Sequence, residues 1–203
     1  MKKLKINPKK LRKLSPSKNH FASLARSIIY QQLSGASAAA IERKFFGLFD
    51  PKVLNMKGKR GKLLPAKFPK PAQVLKLTDA QFKSAGLSGQ KMSYMRDLAR
   101  KFIDGTIEPK KFPKMTDEEI IEHLTAVKGI GVWTAHMFLI FALNRPDVLP
   151  VGDLGIKKGF QRAFKLRKLP DEEKMRKLAK PHAGEHTALS LHLWAIADDQ
   201  DYF

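Results

Sequence analysis

The sequence predicts an all-α protein, and three observations carry that prediction. Apolar residues recur at three- and four-residue steps through most of the chain, which is the spacing of a helix face. Residues that start helices stand ahead of several such stretches, as Thr116 with Glu119 and Asp171 with Glu172 and Glu173 do. Gly35, Gly86 with Gly89, and Gly129 with Gly131 interrupt the stretches as turns. No segment alternates as a strand, and there is no repeat or low-complexity tract.

The elements follow in order. Residues 1–20 are basic and punctuated by proline, with Leu4, Ile6, Leu11 and Leu14 as scattered anchors, and read as an arm laid against the body. From Phe21 to Phe49 the spacing predicts two helices meeting at a tight turn at Ser34-Gly35, with Leu24, Ile28, Ala38, Ile41, Phe45 and Phe49 as the apolar positions. Residues 50–70 mix lysine, glycine and proline without periodicity. This is a basic loop, either a tolerated insertion or a contact for a phosphate backbone. A short helix with Val74 and Leu75 follows, and Thr78-Asp79 caps the next. Met92, Met95, Leu98, Phe102 and Ile103 form an apolar stripe read as core, with Arg96 and Arg100 on another face. Ile120, Ile121, Leu124 and Val127 line a capped helix that runs into Gly129-Ile130-Gly131 and then an almost wholly apolar one. A loop bounded by Pro146 and Pro150 delivers Asp153 to a helix whose buried face is Ile156, Phe160 and Phe164. A helix opened by Asp171 and the apolar segment HTALSLHLWAIA complete the order.

Composition bounds the function. The 203 residues, 43% of them hydrophobic, suffice for one globular unit of one or two lobes with a real core. No run is long enough to span a bilayer, and the amino-terminal MKKLKINPKK has no apolar signal-peptide centre. An intracellular protein is therefore expected, cytoplasmic in a prokaryote and nuclear in a eukaryote. The absence of cysteine excludes disulfides, thiolate zinc sites and cysteine-ligated clusters. Of six histidines, only His182 and His186 have metal-like spacing, and they read as surface or capping residues. Charge is more telling. Residues 1–115 hold 27 basic and 6 acidic side chains, and residues 116–203 hold 12 and 13. So lopsided a distribution points to a polyanionic partner, with nucleic acid ahead of an anionic membrane surface.

The glycine turn and Asp153 point the same way. Glycines at 129 and 131 permit positive φ and close approach, and the amides opening the next helix form a seat for phosphate. A plain helix–helix turn would also explain GIG, and helix capping would also explain Asp153. An anion at a helix N-terminus is favoured by the dipole. It can stabilise an oxocarbenium-like sugar and orient or deprotonate an attacking water.

LTAVKGIGVWTAHMFLIFAL followed by LPVGDLGIKK resembles the helix–hairpin–helix and aspartate of the DNA glycosylase superfamily, with the nearest likeness to AlkA-type 3-methyladenine DNA glycosylase II. SIIYQQLSGASAAAIERKF, GLSGQKMSYMRDLA and LHLW extend the likeness over most of residues 21–195. The resemblance implies two helical lobes around a DNA-binding cleft, lobe A about 22–115 and lobe B about 1–21 with 116–203. It implies no amino-terminal β-domain.

Residue by residue, the resemblance implies that Asp153 is catalytic. Trp133, Trp194, Met137 and Tyr30 would line the base pocket, although Trp133 and Trp194 could equally be packing residues. Gln32 and Leu33 would fill the gap left by an everted base, and Lys128, Gly129, Ile130, Gly131 and Val132 would sit on the backbone. A monovalent cation on carbonyls near Val127 and Ile130 is expected, but no catalytic metal or cofactor. Trp133 stands where lyase-type relatives carry a lysine, so no Schiff base forms and a monofunctional enzyme is expected. Its ring could also attract a cationic methylated purine. Met137 replaces a tyrosine of some relatives, and KPHAGEHTALSLHLW is longer than its counterpart and lacks an arginine expected there. The expectation is a monomeric glycosylase acting on double-stranded DNA that contains 3-methyladenine or 7-methylguanine. The alternatives are a glycosylase for oxidised or deaminated bases, and a non-catalytic helix–hairpin–helix module that binds DNA.

Overall fold

The computed structural model describes residues 3–7, 11, 13–55 and 68–198. Most of the basic 50–70 loop, and with it the expected phosphate contact, lies outside the described residues. Regular structure among the described residues is entirely helical. The chain forms two compact units, Ser17–Ala135 and Met1–Pro16 with His136–Phe203. The unit boundary follows the glycine turn, whereas the sequence placed it near residue 116. Hydrogen bonds from the turn to residues 31 and 97 hold 116–135 in the first unit.

The Ser17–Ala135 unit begins with α1 (His20–Tyr30), capped by Asn19, whose side chain accepts the Ala22 amide. α2 (Gly35–Gly47) is capped by Ser34, and a 3-10 turn follows at Pro51–Asn55. α3 (Pro71–Leu75) has proline in its first turn, where the missing N–H costs nothing. α4 (Asp79–Ser84) and α6 (Asp117–Thr125) both open with capping boxes, at Thr78 with Gln81 and Thr116 with Glu119. Between them runs α5 (Gly89–Ile103), capped by Ser88. The core is aromatic: Phe45 stacks on Phe82 at 6.2 Å, and Phe21 meets the rings of Phe68 and Phe102 edge-on. Met92, Met95 and Leu98 are buried as expected, but Ile103 is 54% exposed. It ends the helix, beyond Ala99, the last buried residue of α5.

α7 (Val132–Phe141) is apolar on every side, and the unit boundary falls within it. The Met1–Pro16 and His136–Phe203 unit continues with α8 (Leu154–Ala163), α9 (Glu172–Ala179) and α10 (His186–Ala197). Its core joins Ile156 and Phe160 of α8, Met175 and Leu178 of α9, and Leu189 and Leu193 of α10, with Leu4 and Ile6 of the amino-terminal arm laid against them. Phe164 is only partly buried. The closest packing is at Gly159, where an added Cβ would stand 2.3 Å from the Leu193 carbonyl oxygen. Only glycine lets these two backbones approach so nearly.

One histidine reading changes. His182 is buried, not a surface residue, and its Nε2 accepts the Leu4 amide at 3.1 Å. Its Nδ1 faces Glu185 at 3.4 Å, and Glu185 also pairs with Lys3. Burial lowers its pKa, and Glu185 opposes part of that shift. His186 lies 2.7 Å from Asp147. Among the described residues no group of three His, Cys, Asp or Glu side chains could hold a metal ion, and no helix is long and apolar enough to cross a membrane.

Candidate functional site

Asp153 is the N-cap of α8. Its backbone is extended, and its Oδ1 accepts the Ile156 amide at 2.9 Å. The same oxygen accepts the indole N–H of Trp194 from α10 at 2.8 Å. Two donors from two helices therefore fix the orientation of the carboxyl group. The indole reaches it because position 155 is glycine: a Cβ there would come within 2.8 Å of Trp194 Cδ1 and 3.0 Å of Asp153 Oδ1. Phe141 stacks on Trp194 at 5.8 Å, closing the other side of the indole.

The loop before Asp153 is anchored by α10. The Thr187 hydroxyl donates to the Arg145 carbonyl and accepts the Val148 amide, and Ser190 donates to the Val148 carbonyl. Asp147 accepts the amides of Gly184 and His186. Thr187 and Ser190 thereby satisfy backbone groups of a loop that offers them no helical partners. The structure thus pairs Trp194 with Asp153 by a direct hydrogen bond. Its supports, Gly155, Thr187 and Ser190, carried no signal in a sequence read alone, because they act on residues some forty positions away. Met137 lies half-buried on α7 in this unit.

The other expected residues belong to the Ser17–Ala135 unit. Gly129 has φ +79°, and a Cβ on it would stand 2.1 Å from the Tyr94 ring. The position is closed to any other residue both by conformation and by space. Gly131 differs from expectation. Its φ is not positive, and a Cβ on it would meet nothing within 4 Å. Two side chains hold the turn from outside: Asp97 accepts the Lys128 amide at 2.8 Å and Gln31 donates to the Gly129 carbonyl at 2.7 Å, while Gln90 donates to the hydroxyl of the Tyr94 ring beneath Gly129. Trp133 and Val132, opening α7, are 51% and 52% exposed. Of the carbonyls expected around a cation, that of Val127 accepts the Ile130 amide at 3.0 Å.

Gln32, in the turn between α1 and α2, has φ +56°, and Leu33 beside it is exposed. The Lys91 ammonium donates to the carbonyls of Ile29 and Gln31 at 2.7 and 2.8 Å. Tyr30 is half-buried and donates to Glu42 at 2.9 Å, and Arg26 pairs with the same carboxylate at 2.6 Å. Burial pushes the Glu42 pKa up, and Arg26 offsets part of the shift. Sequence reading singled out neither Gln31 nor Lys91, Tyr94 or Asp97.

The family model described as HhH-GPD superfamily base excision DNA repair protein matches residues 25–183. The chain is 32% identical to DNA-3-methyladenine glycosylase 1 of Schizosaccharomyces pombe, over 91% of this chain and 75% of that protein. It is 36% identical to the DNA-3-methyladenine glycosylase of Saccharomyces cerevisiae, over 89% of this chain but only 58% of that one. Among solved structures, the S. pombe 3-methyladenine DNA glycosylase in complex with abasic DNA superposes with a TM-score of 0.74 at 30% identity, covering 95% of this chain and 87% of that one.

Proposed function

This chain belongs to the HhH-GPD superfamily of base excision DNA repair proteins, and we propose that it is a monofunctional DNA glycosylase for alkylated purines, 3-methyladenine and 7-methylguanine among them. The observation that carries the reading is Asp153, a carboxyl group held at the start of α8 by the Ile156 amide and the Trp194 indole. The relatives' names supply the substrate class, and the +20 net charge suits a DNA partner.

In this reading the Gly129–Val132 amides seat a backbone phosphate, Gln32 and Leu33 occupy the gap of the everted nucleotide, and Trp133, Trp194, Met137 and Tyr30 border the base. The glycosidic bond breaks and its electron pair leaves with the base, which departs neutral because it entered as a cation. Asp153 stabilises the positive charge that develops on the sugar. Water bonds to C1′ and passes its proton to the Asp153 carboxylate. With tryptophan at position 133 there is no amine to form a Schiff base there, so the product is an uncut abasic site. The hairpin turn also suits a monovalent cation as a structural ligand: a carbonyl has two lone pairs, and the Val127 oxygen spends one on Ile130.

The test is release of free base from duplex DNA carrying single defined lesions. The proposal expects release of methylated purines and intact strands afterwards. Tight binding with no release from any lesion would make the chain a non-catalytic module. Strand cleavage would refute the monofunctional assignment.

A further inference from the structure

The turn expected to act as the wedge and the hairpin expected to hold phosphate are joined, and one helix face joins them. Lys91, Tyr94 and Asp97 are spaced by three residues and share a face of α5. Asp97 holds the Lys128 amide, Tyr94 lies under Gly129, and Lys91 holds the last carbonyls of α1. Gln31 then closes the loop of contacts by donating to the Gly129 carbonyl.

We propose that Lys91 is a positioning residue for base eversion, fixing the Gln31–Leu33 turn against the hairpin so that the wedge and the phosphate seat move as one rigid element. The proposal rests on the glycosylase reading above. Gln32 sits at φ +56°, which L residues seldom adopt, so the turn needs clamps on both sides. Lys91 supplies the clamp before it, and Ser34, whose hydroxyl accepts the Ser37 amide, supplies the clamp after it. A cation at the C-terminal end of α1 is also favoured by the helix dipole. The consequence is mechanical. Eversion requires a side chain to enter the base stack while the backbone is gripped, and the distance between grip and wedge is set by these four side chains.

The test compares single-turnover base release by the wild type, Lys91→Met and Gln31→Ala on two duplexes. In one the methylated purine faces its normal partner, and in the other it faces an abasic site, where eversion costs less. Lys91→Met should lose about 10- to 100-fold on the paired lesion, the scale of one or two lost charged hydrogen bonds, and Gln31→Ala about 5- to 10-fold, the scale of one neutral hydrogen bond. The loss should shrink to within about threefold on the weakly held lesion. A merely structural role predicts equal losses on both duplexes, and equal losses or no loss would overturn the proposal. Should Lys91→Met fail to fold, Gln31→Ala carries the comparison, since it removes only the tie to Gly129. If the wild type releases base from neither duplex, the glycosylase reading itself fails and takes the proposal with it.

Discussion

The two candidate functional regions are built by opposite means. Around the hairpin, side chains position backbone: Asp97, Gln31 and Lys91 reach out to amides and carbonyls of loops that have no regular partners. Around Asp153, missing side chains position a side chain: Gly155 and Gly159 let α10 approach until Trp194 meets the carboxylate. The proposed phosphate seat needs presented amides, and polar side chains hold the turn that would present them. A carboxylate needs a single fixed orientation, and close helix packing provides it. The difference predicts that substitutions at the Asp153 helices disturb the fold first, whereas those at the hairpin divide between fold and DNA.

The largest effect on stability is expected at Gly159. Gly159→Val must push α8 away from the Leu193 carbonyl. A loss of about 3–4 kcal/mol in chemical denaturation is predicted, the upper end of overpacking costs. A change under about 1 kcal/mol would mean that the two helices are not held as described.

The hairpin glycines sharpen the comparison. Gly129→Ala combines a left-handed backbone with the Tyr94 ring and should cost about 2–3 kcal/mol. Gly131→Ala meets no protein atom, so its cost should be about 1 kcal/mol or less. Yet its methyl would stand among the amides proposed to seat phosphate, and duplex affinity should fall about tenfold. Paired melting and filter-binding measurements check this. Equal stability losses at the two glycines would contradict the assigned geometry.

The smallest effect concerns pH. Burial lowers the pKa of His20, His136, His182 and His192 from the ordinary 6.5. Between the folded and unfolded pKa values, the unfolded chain binds more protons. Stability is therefore full above about pH 6.5 and declines as pH falls through the folded values, by at most about 1.4 kcal/mol per pH unit for each group. His182→Gln, which keeps an acceptor for the Leu4 amide, should flatten that decline between pH 6.5 and 5 in thermal melts. An unchanged slope would show that His182 titrates as it does in the unfolded chain.

The sequence was most legible where structure is local. The cap at Thr78, the capping box at Thr116, the cap at Asp171 and the stretch His186–Ala197 all appear as read, because each depends on residues within one helical turn. Long-range contacts were not legible. Nothing near Lys91 announces that it will clamp carbonyls some sixty residues earlier, and His182 looked superficial because its partner, Leu4, lies at the other end of the chain. Gly129 and Gly131 looked alike in sequence. The left-handed φ of Gly129 and the Tyr94 ring against it distinguish the one required by the fold from the one that leaves space.

The central claim is that the Asp153 carboxylate performs the chemistry while the hairpin supplies the grip. Asp153→Asn keeps an oxygen to accept the Ile156 amide and removes the charge. Base release from methylated duplex by this variant, measured at saturating protein beside its binding to the same duplex, tests the claim most directly. The account predicts a fall in release of roughly 10²- to 10³-fold with binding unchanged or tighter. Release at the wild-type rate would contradict it.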